Sequence, residues 1–214
     1  MTSTRTFQRI KFRTAVLMSA LAAVSALSAC APIVVGGAMI GGTLMATDRR
    51  TSGAQVEDQA IELKSLNRIR DALGDRGHVS TTSYNRVVLI TGEVQNEADK
   101  AAAEAAVQRV ENVKNVVNEL EVMGGTSLTS RSNDAILTSK VKASFVDAKD
   151  IFANSFKVVT ERGTVFLMGR VTEREANRAV EIARGVSGVT KVVRLFEILT
   201  EQELADLAPK ALAK

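Results

Sequence analysis

The sequence predicts an α+β protein made of two tandem copies of one small unit. Two observations predict this class: apolar positions recur at a shift of about 76 residues, and within each copy the apolar period changes between two and about 3.6. Period two is typical of strands, and period 3.6 is typical of helices. Each copy is predicted to run helix, strand, strand, helix, strand, with the helices packed on a small three-stranded sheet.

Residues 1–29 have the pattern of a secretory signal peptide. Basic residues without acidic ones come first, and the apolar run Thr14 to Leu27 follows. Leu27-Ser28-Ala29-Cys30 resembles the bacterial lipobox, in which the thiol takes up diacylglycerol and the new N-terminus takes up an acyl chain such as palmitate. The resemblance implies lipid on Cys30 and, because Ala31 follows, an outer-membrane location facing the periplasm. We expect no cofactor other than this lipid. The alternative to the lipobox is an ordinary signal peptide with an incidental cysteine.

The formal net charge of +4 comes from the leader rather than from the mature chain. Of the 28 Lys and Arg residues the leader holds four (Arg5, Arg9, Lys11 and Arg13), which leaves 24 basic residues against 24 acidic ones. A near-neutral chain gives no reason to expect nucleic acid as a partner. Cys30 is the only cysteine, so burial rather than disulfide bonds must hold the body together.

Residues 30–57 are assigned to the lipidated N-terminus and an apolar, glycine-rich tether. The apolar stretch Ala31 to Ala46 has 16 residues, fewer than the roughly 20 that a membrane-spanning helix needs. Gly37 to Gly41 matches the small-xxx-small pattern of paired membrane helices, and the alternative is a flexible tether near the lipid surface. The polar run Asp48 to Gly53 marks the end of the apolar stretch.

Strand candidates occupy equivalent positions in the two copies. They are Val79 to Tyr84, Val87 to Gly92 and Val113 to Val122 in the first, and Phe156 to Glu161, Thr164 to Gly169 and Val189 to Ile198 in the second. The first two of each copy are predicted hairpins, although Asn85-Arg86 and Arg162-Gly163 are not ideal turn sequences. Glycine is expected to close the second strand of each copy.

Helices are predicted before each hairpin and after each second strand. The latter are supported by the apolar sets Ala103, Ala106, Val107, Val110 and Ala179, Ile182, Ala183, Val186. Asn96 and a Thr172–Glu175 capping box are the expected starts of these helices, and Ser132-Asn133-Asp134 is the expected cap of the helix that opens the second copy. Gly185 to Gly188 is predicted to be a helix stop and a turn.

These elements define the domains: 58–122 is the first, 123–131 a flexible linker, 132–200 the second, and 201–214 a tail with a short frayed helix. Each domain has about 65 residues, which is near the lower limit for an independently stable core. We therefore expect the two domains to pack on each other.

The order of elements resembles the BON domain family of bacterial envelope proteins. The residues that carry the resemblance are Leu89 to Val94 with Val113 to Val117, and Val165 to Val171 with Val189 to Val193. The resemblance implies a non-enzymatic protein that supports envelope integrity, recognises anionic phospholipid of the inner leaflet of the outer membrane through its second domain, and is enriched at division sites. It also raises the outer-membrane protein assembly machinery as a partner. Ala135-Ile136-Leu137 stands where such proteins carry an aromatic residue, which puts deep membrane insertion in doubt.

No pattern indicates a catalytic or metal site. His78 is the only histidine and is expected in a surface loop. Glu173 and Glu175 are two residues apart at a helix start, so capping explains them better than acid–base chemistry. One His and scattered carboxylates give no set of metal ligands.

The lipid-binding candidates lie on and just after the first helix of the second domain. Leu137, Val141, Phe145 and Ala148 share the predicted core face, which leaves the other side to apolar and basic residues. The candidates are Ile136, Lys140, Lys142, Lys149, Ile151 and Phe152. Aliphatic side chains beside ammonium groups suit an anionic membrane surface. The alternative is that Ile136 or Phe152 packs on the other domain.

Two other classes of function stay open. A periplasmic chaperone or adaptor would bind outer-membrane proteins through an unpaired hydrophobic sheet edge. An enzyme acting on envelope glycans or lipids would need a deep polar cleft.

Overall fold

The computed structural model describes residues 48–125 and 127–207. The signal peptide, Cys30 and the apolar part of the tether lie outside these residues, as do Thr126 and residues 208–214 of the tail. The helices are α1 (Ser52–Leu73), α2 (Glu97–Gln108), α3 (Leu128–Asp147), α4 (Glu173–Gly185) and α5 (Glu201–Leu207). The strands are β1 (Gly77–Tyr84), β2 (Val87–Val94), β3 (Asn115–Val122), β4 (Phe156–Glu161), β5 (Thr164–Thr172) and β6 (Lys191–Leu199). No helix in these two ranges is long and apolar enough to cross a membrane.

The predicted order of elements is present in both domains, and the fold-class prediction is confirmed. One sheet has the order β1-β2-β3 and the other β4-β5-β6, each with an antiparallel first pair and a parallel second pair. A parallel pair needs a long crossover connection, which α2 and α4 supply. Asn96 caps α2, and the Thr172–Glu175 capping box opens α4, as predicted.

Two helices begin earlier than the sequence pattern indicated. Helix α1 begins at Ser52, inside the range 30–57 that was assigned to the tether. The predicted cap at Ser132-Asn133-Asp134 is wrong, because α3 begins at Leu128 and the Ser127 hydroxyl accepts a hydrogen bond from a backbone N–H of the first turn. Neither Gly nor Pro interrupts the first turns of α3, so the helix extends back to the earlier serine.

Both hairpins use a turn in which the two central residues have positive φ, as in type I′ turns. The φ angles are 48° at Asn85, 70° at Arg86, 51° at Arg162 and 75° at Gly163. A buried aspartate of the preceding helix accepts hydrogen bonds from both central N–H groups, Asp58 in the first domain and Asp134 in the second, at 2.8–2.9 Å. In each domain this carboxylate stabilises a turn whose own sequence is not ideal for a type I′ hairpin.

The two repeated glycines lie inside strands rather than at their ends. Strand β2 continues past Gly92 to Val94, and β5 continues past Gly169 to Thr172, so the expectation that glycine closes these strands is wrong. A Cβ atom on Gly92 would collide with the carbonyl oxygen of His78 on the neighbouring strand. The glycine therefore permits close strand approach.

Each domain has a core between its helices and the inner face of its sheet. The outer faces of the two sheets pack on each other, because Tyr84 and Leu89 of the first domain form one buried cluster with Phe166 and Met168 of the second. The predicted contact between the domains is present. The layers are helices, sheet, sheet, helices.

Candidate lipid-binding surface and its surroundings

Helix α3 buries one face and exposes the other, as its 3.6-residue period requires. Leu137, Val141 and Phe145 are buried in the core of the second domain, as predicted. Ile136 lies on the other side, with 55% of its surface exposed. It therefore does not pack on the first domain.

The three predicted lysines are all exposed. Lys140, Lys142 and Lys149 form no ion pair with any acidic residue of the part of the chain that is described, although Asp147 lies on the same helix. Six other basic residues of this domain are paired, such as Arg178 with Asp150 at 2.7 Å, whereas Arg184 and Lys191 form no ion pair within the described residues. The lysines of α3 thus offer positive charge that the protein itself does not neutralise.

One predicted lipid-binding residue is wrongly placed. Ile151 is only 6% exposed and belongs to the core of the second domain, where it packs in the same cluster as Val141 and Phe145. Its neighbour Phe152 is 61% exposed. The chain leaves the helix at Asp147 and turns, so residue 151 rather than 152 covers the end of the core, and helical periodicity cannot predict which of the two points inward.

Sequence reasoning missed two exposed apolar residues of this helix, Leu128 at its first position, which is 78% exposed, and Val146. Val146 is 72% exposed, one helical turn after Lys142. Its position 100° around the helix from the core residue Phe145 was the available signal.

Three of the six candidates line two concave regions on opposite flanks of α3, and Lys149, Ile151 and Phe152 line neither of these. Ile136 and Lys140 line a groove of about 550 Å³ together with the hairpin turn Arg162-Gly163 and the Ser187-Gly188 turn. Lys142 and Val146 line a second pocket of about 360 Å³ together with Asp48, Arg50, Tyr84, Ala153, Asn154, Phe156 and Lys157. The predicted residues therefore do not form a single cluster.

The second pocket borders the segment Asp48–Arg50, which we call the strap. Arg49 donates to both carboxylate oxygens of Glu175 at 2.7 Å and to the carbonyl oxygen of Arg170 at 2.9 Å. The Arg170 guanidinium in turn donates to the carbonyl oxygen of Arg49 at 3.1 Å. All these contacts join the strap to the second domain.

The next strap residue contacts the first domain. Arg50 donates to Asp58 at 2.8 Å and to Asp48 at 2.8 Å, and its guanidinium lies 4.2 Å from the ring centroid of Tyr84. Burial opposes the ionisation of Asp58, but hydrogen bonds from the Arg86 N–H, the Ser83 hydroxyl and Arg50 outweigh it and hold the pKa of Asp58 below its usual value. Asp58 thus serves both the hairpin turn and the strap.

Glu175 and Tyr84 titrate away from their ordinary values. Burial opposes the ionisation of Glu175, but the hydrogen bonds from Arg49 and Thr172 prevail and lower its pKa. Burial, followed by the charge of Asp48, raises the pKa of Tyr84 to about 12. A strap residue contributes to each shift, Arg49 to that of Glu175 and Asp48 to that of Tyr84.

The one histidine does not lie in a loop as expected. His78 is in β1, and its Nδ1 atom is 3.8 Å from Oε2 of Glu93, a carboxylate that is 1% exposed.

Burial and the charges of Glu93 and Asp134 raise the pKa of Glu161 on the facing sheet. Within the residues described, no group of three or more potential metal ligands comes together.

Comparison with known families decides the classification. The model of the BON domain matches residues 57–124 and again 133–200. The chain belongs to the BON-domain family. The matched residues begin and end within a few positions of the predicted BON domains at 58–122 and 132–200.

Relatives extend the likeness beyond the BON domains. The chain is 41% identical over 176 residues, 81% of its length, to "Outer membrane lipoprotein DolP" of Haemophilus influenzae, covering 90% of that protein. It is 30% identical to "21 kDa hemolysin" of Actinobacillus pleuropneumoniae over 70% of its length and 78% of that protein. It is 41% identical over 61 residues, 28% of its length and 30% of the relative, to "Osmotically-inducible protein Y" of Escherichia coli. The prediction of a DolP-like lipoprotein with two BON domains is confirmed, and the likeness to DolP supports an outer-membrane lipoprotein.

Proposed function

We propose that the protein is a non-enzymatic lipoprotein, anchored through lipid on Cys30 in the inner leaflet of the outer membrane and facing the periplasm. There it maintains envelope integrity by recognising anionic phospholipid through its second BON domain, with enrichment at division sites. The observation that carries the proposal is the exposed side of α3. It presents Ile136 and Val146 beside lysines that no described acidic residue neutralises.

The chemistry of this surface favours an anionic membrane over a neutral one. Each lysine near such a surface contributes about 1 kcal/mol, and the exposed aliphatic side chains add hydrophobic free energy when they enter the interface. Phe152, at 61% exposure, supplies a further apolar contact in the loop after α3. Because the lipid on Cys30 already holds the protein at the membrane, this moderate affinity is sufficient to orient it.

A partner among the outer-membrane protein assembly machinery, or a role as chaperone or adaptor, is the alternative outcome. It would use an unpaired sheet edge. Each sheet has two edge strands. Strand β1 is largely polar, whereas β6, with the sequence Lys-Val-Val-Arg-Leu-Phe-Glu-Ile-Leu, is apolar and leaves Ile198 47% exposed, so an adaptor would use β6. The lysines of α3 that no described acidic residue neutralises favour lipid.

The test measures binding of the mature chain, with Cys30→Ser, to phosphatidylglycerol-containing vesicles and to phosphatidylcholine vesicles. We expect binding only to the anionic vesicles. Replacing Lys140, Lys142 and Lys149 by alanine removes three contributions of about 1 kcal/mol and should weaken binding roughly 150-fold. Lys191→Ala is the matched control, because Lys191 is an exposed lysine at the start of β6 in the same domain.

Two results would refute the proposal. One is equal binding to both kinds of vesicle, and the other is unchanged anionic binding by the triple variant. Failure of lipid binding together with direct binding to a purified outer-membrane barrel protein would favour the adaptor function.

A further inference from the structure

The strap occupies a site that both domains build. Glu175 of the second domain and Asp58 of the first have side chains only 2% and 3% exposed, and each faces one strap guanidinium at 2.7–2.8 Å. The strap arginines are themselves 9% and 12% exposed. A buried carboxylate without its partner is strongly unfavourable, so each domain holds an anionic site that one strap arginine satisfies.

The contacts are specific for a guanidinium group and for this backbone. Arg49 meets Glu175 with two parallel hydrogen bonds, a geometry that a lysine cannot reproduce. The reciprocal hydrogen bonds between Arg49 and Arg170 fix the strap backbone against the end of β5. Arg50 adds a cation–π contact with Tyr84, which belongs to the buried cluster between the two sheets.

We infer that the strap is an internal ligand that holds the two BON domains in one fixed arrangement and sets the point at which the tether leaves the body. Neighbouring residues in the chain, Arg49 and Arg50, bind different domains, so the domains cannot separate or rotate without releasing one arginine. Asp48, the first residue of the strap, lines the pocket that also contains Lys142 and Val146, so the strap begins beside α3. This second part, the orientation toward the membrane, rests on the proposed function.

The first experiment measures the arrangement of the domains without any lipid. The mature chain with Cys30→Ser carries spin labels at Ala105→Cys on α2 and Arg184→Cys on α4, both exposed positions. Double electron–electron resonance then gives the distance distribution between the domains, and hydrogen exchange gives the opening of the strap at the Arg50 N–H, which donates to Asp48 at 2.9 Å. The variants are Arg49→Ala and Glu175→Gln.

Glu175→Gln keeps the protein folded, because glutamine also completes a capping box while the charge that Arg49 needs is lost. Arg178→Ala is the control, since it removes two exposed ion pairs of α4 without touching the strap. We expect one narrow distance in the parent and the control. Each strap variant should broaden the distribution and speed exchange of the Arg50 N–H at least about 100-fold.

The double variant Arg49→Ala with Glu175→Gln should exchange no faster than the worse single variant, because both changes remove the same contact. A narrow, unshifted distance in both single variants would overturn the inference. So would additive effects of the two substitutions, which would mean that the residues act independently.

The second experiment tests orientation with the lipidated chain in phosphatidylglycerol nanodiscs. A paramagnetic relaxation agent carried by the lipid headgroups reports the depth of the same two spin labels. The parent should show one depth for each label, and Arg49→Ala a spread of depths. An unchanged depth in the variant would overturn the membrane part alone. A spread already present in the parent would count against the proposed lipid recognition, while the lipid-free distances would still decide the role of the strap.

Discussion

Alanine substitution of Asp58 and of Asp134 should destabilise the protein by different amounts, although the two residues are equivalent in the repeat. Both carboxylates accept hydrogen bonds from two backbone N–H groups of a hairpin turn. Asp58 also accepts from the Ser83 hydroxyl at 2.7 Å and from Arg50 at 2.8 Å. Only the first domain, therefore, couples its turn to the strap.

The magnitudes follow from what each substitution leaves behind. Asp134→Ala deprives two turn N–H groups of their acceptor at about 1 kcal/mol each, giving about 2 kcal/mol. Asp58→Ala also removes the acceptor of the Ser83 hydroxyl, at about 1 kcal/mol, and one of the two carboxylates that pair with the buried Arg50 guanidinium, at about 1.5 kcal/mol. We expect Asp58→Ala to cost about 4–5 kcal/mol, a large part of the roughly 5–15 kcal/mol of a typical domain.

Urea unfolding of the mature chain with Cys30→Ser measures both free energies. Asp147→Ala, an exposed aspartate on α3 without an ion pair in the described residues, is the control and should change stability by less than about 0.5 kcal/mol. If the free energy of unfolding of each variant falls with urea concentration at the parent's slope, all the proteins undergo the same unfolding transition. If Asp58→Ala cost no more than Asp134→Ala, the strap contact of Asp58 would contribute nothing to stability.

Three further predictions test other parts of the structure. Tyr84 is the only tyrosine, so ultraviolet titration should show its pKa at about 12 in the folded protein. Because folding raises this pKa, the neutral Tyr84 phenol contributes stability that is fully present below the unfolded-state pKa of about 10 and is lost as the pH rises through the folded-state pKa. A titration of Tyr84 at about pH 10 in the folded protein would contradict this. The raised pKa of Glu161 means that its charge opposes folding at neutral pH, so Glu161→Gln should stabilise the protein at pH 7 by less than about 1 kcal/mol. That gain should disappear below about pH 4, where the carboxyl is protonated in both states; destabilisation at pH 7 would count against the assignment. Ile151→Ala should cost about 2–4 kcal/mol of stability and leave binding to anionic vesicles unchanged, whereas Phe152→Ser should do the reverse. The opposite pairing of effects would restore Ile151 to the lipid-binding surface.

The elements of the fold were predictable because they depend on local periodicity that occurs twice. The apolar sets of α2 and α4 and the alternation in β3 and β6 lie where the structure has these elements. Because the pattern occurs in both copies, each helix or strand assignment depends on two segments rather than on one short apolar run that could be either. The exposure of Lys140 and Lys142 followed from the same periodicity, since a helix that buries Val141 must turn its neighbours outward.

The sequence was less informative where contacts are distant in the chain or where periodicity ends. The ion pair of Arg49 with Glu175 joins residues 126 positions apart, and no local pattern predicts such a pair. Ile151 was misassigned because the loop after α3 has no period. The residues of the two hairpin turns do not by themselves indicate a positive-φ turn. The aspartate that stabilises each turn lies 28 positions before Arg86 in the first domain and 29 positions before Gly163 in the second.

The packing of the two sheets makes the halves of the repeat non-interchangeable. Leu89 and Phe166 occupy the same place in their respective domains, as do Thr91 and Met168, yet all four are buried. A chain with two second domains would oppose bulky side chains to each other, and one with two first domains would leave a gap lined by threonine hydroxyls. The two outer faces are therefore complementary rather than alike, as the two sides of a heterodimer interface are, and neither domain can replace the other without repacking this contact.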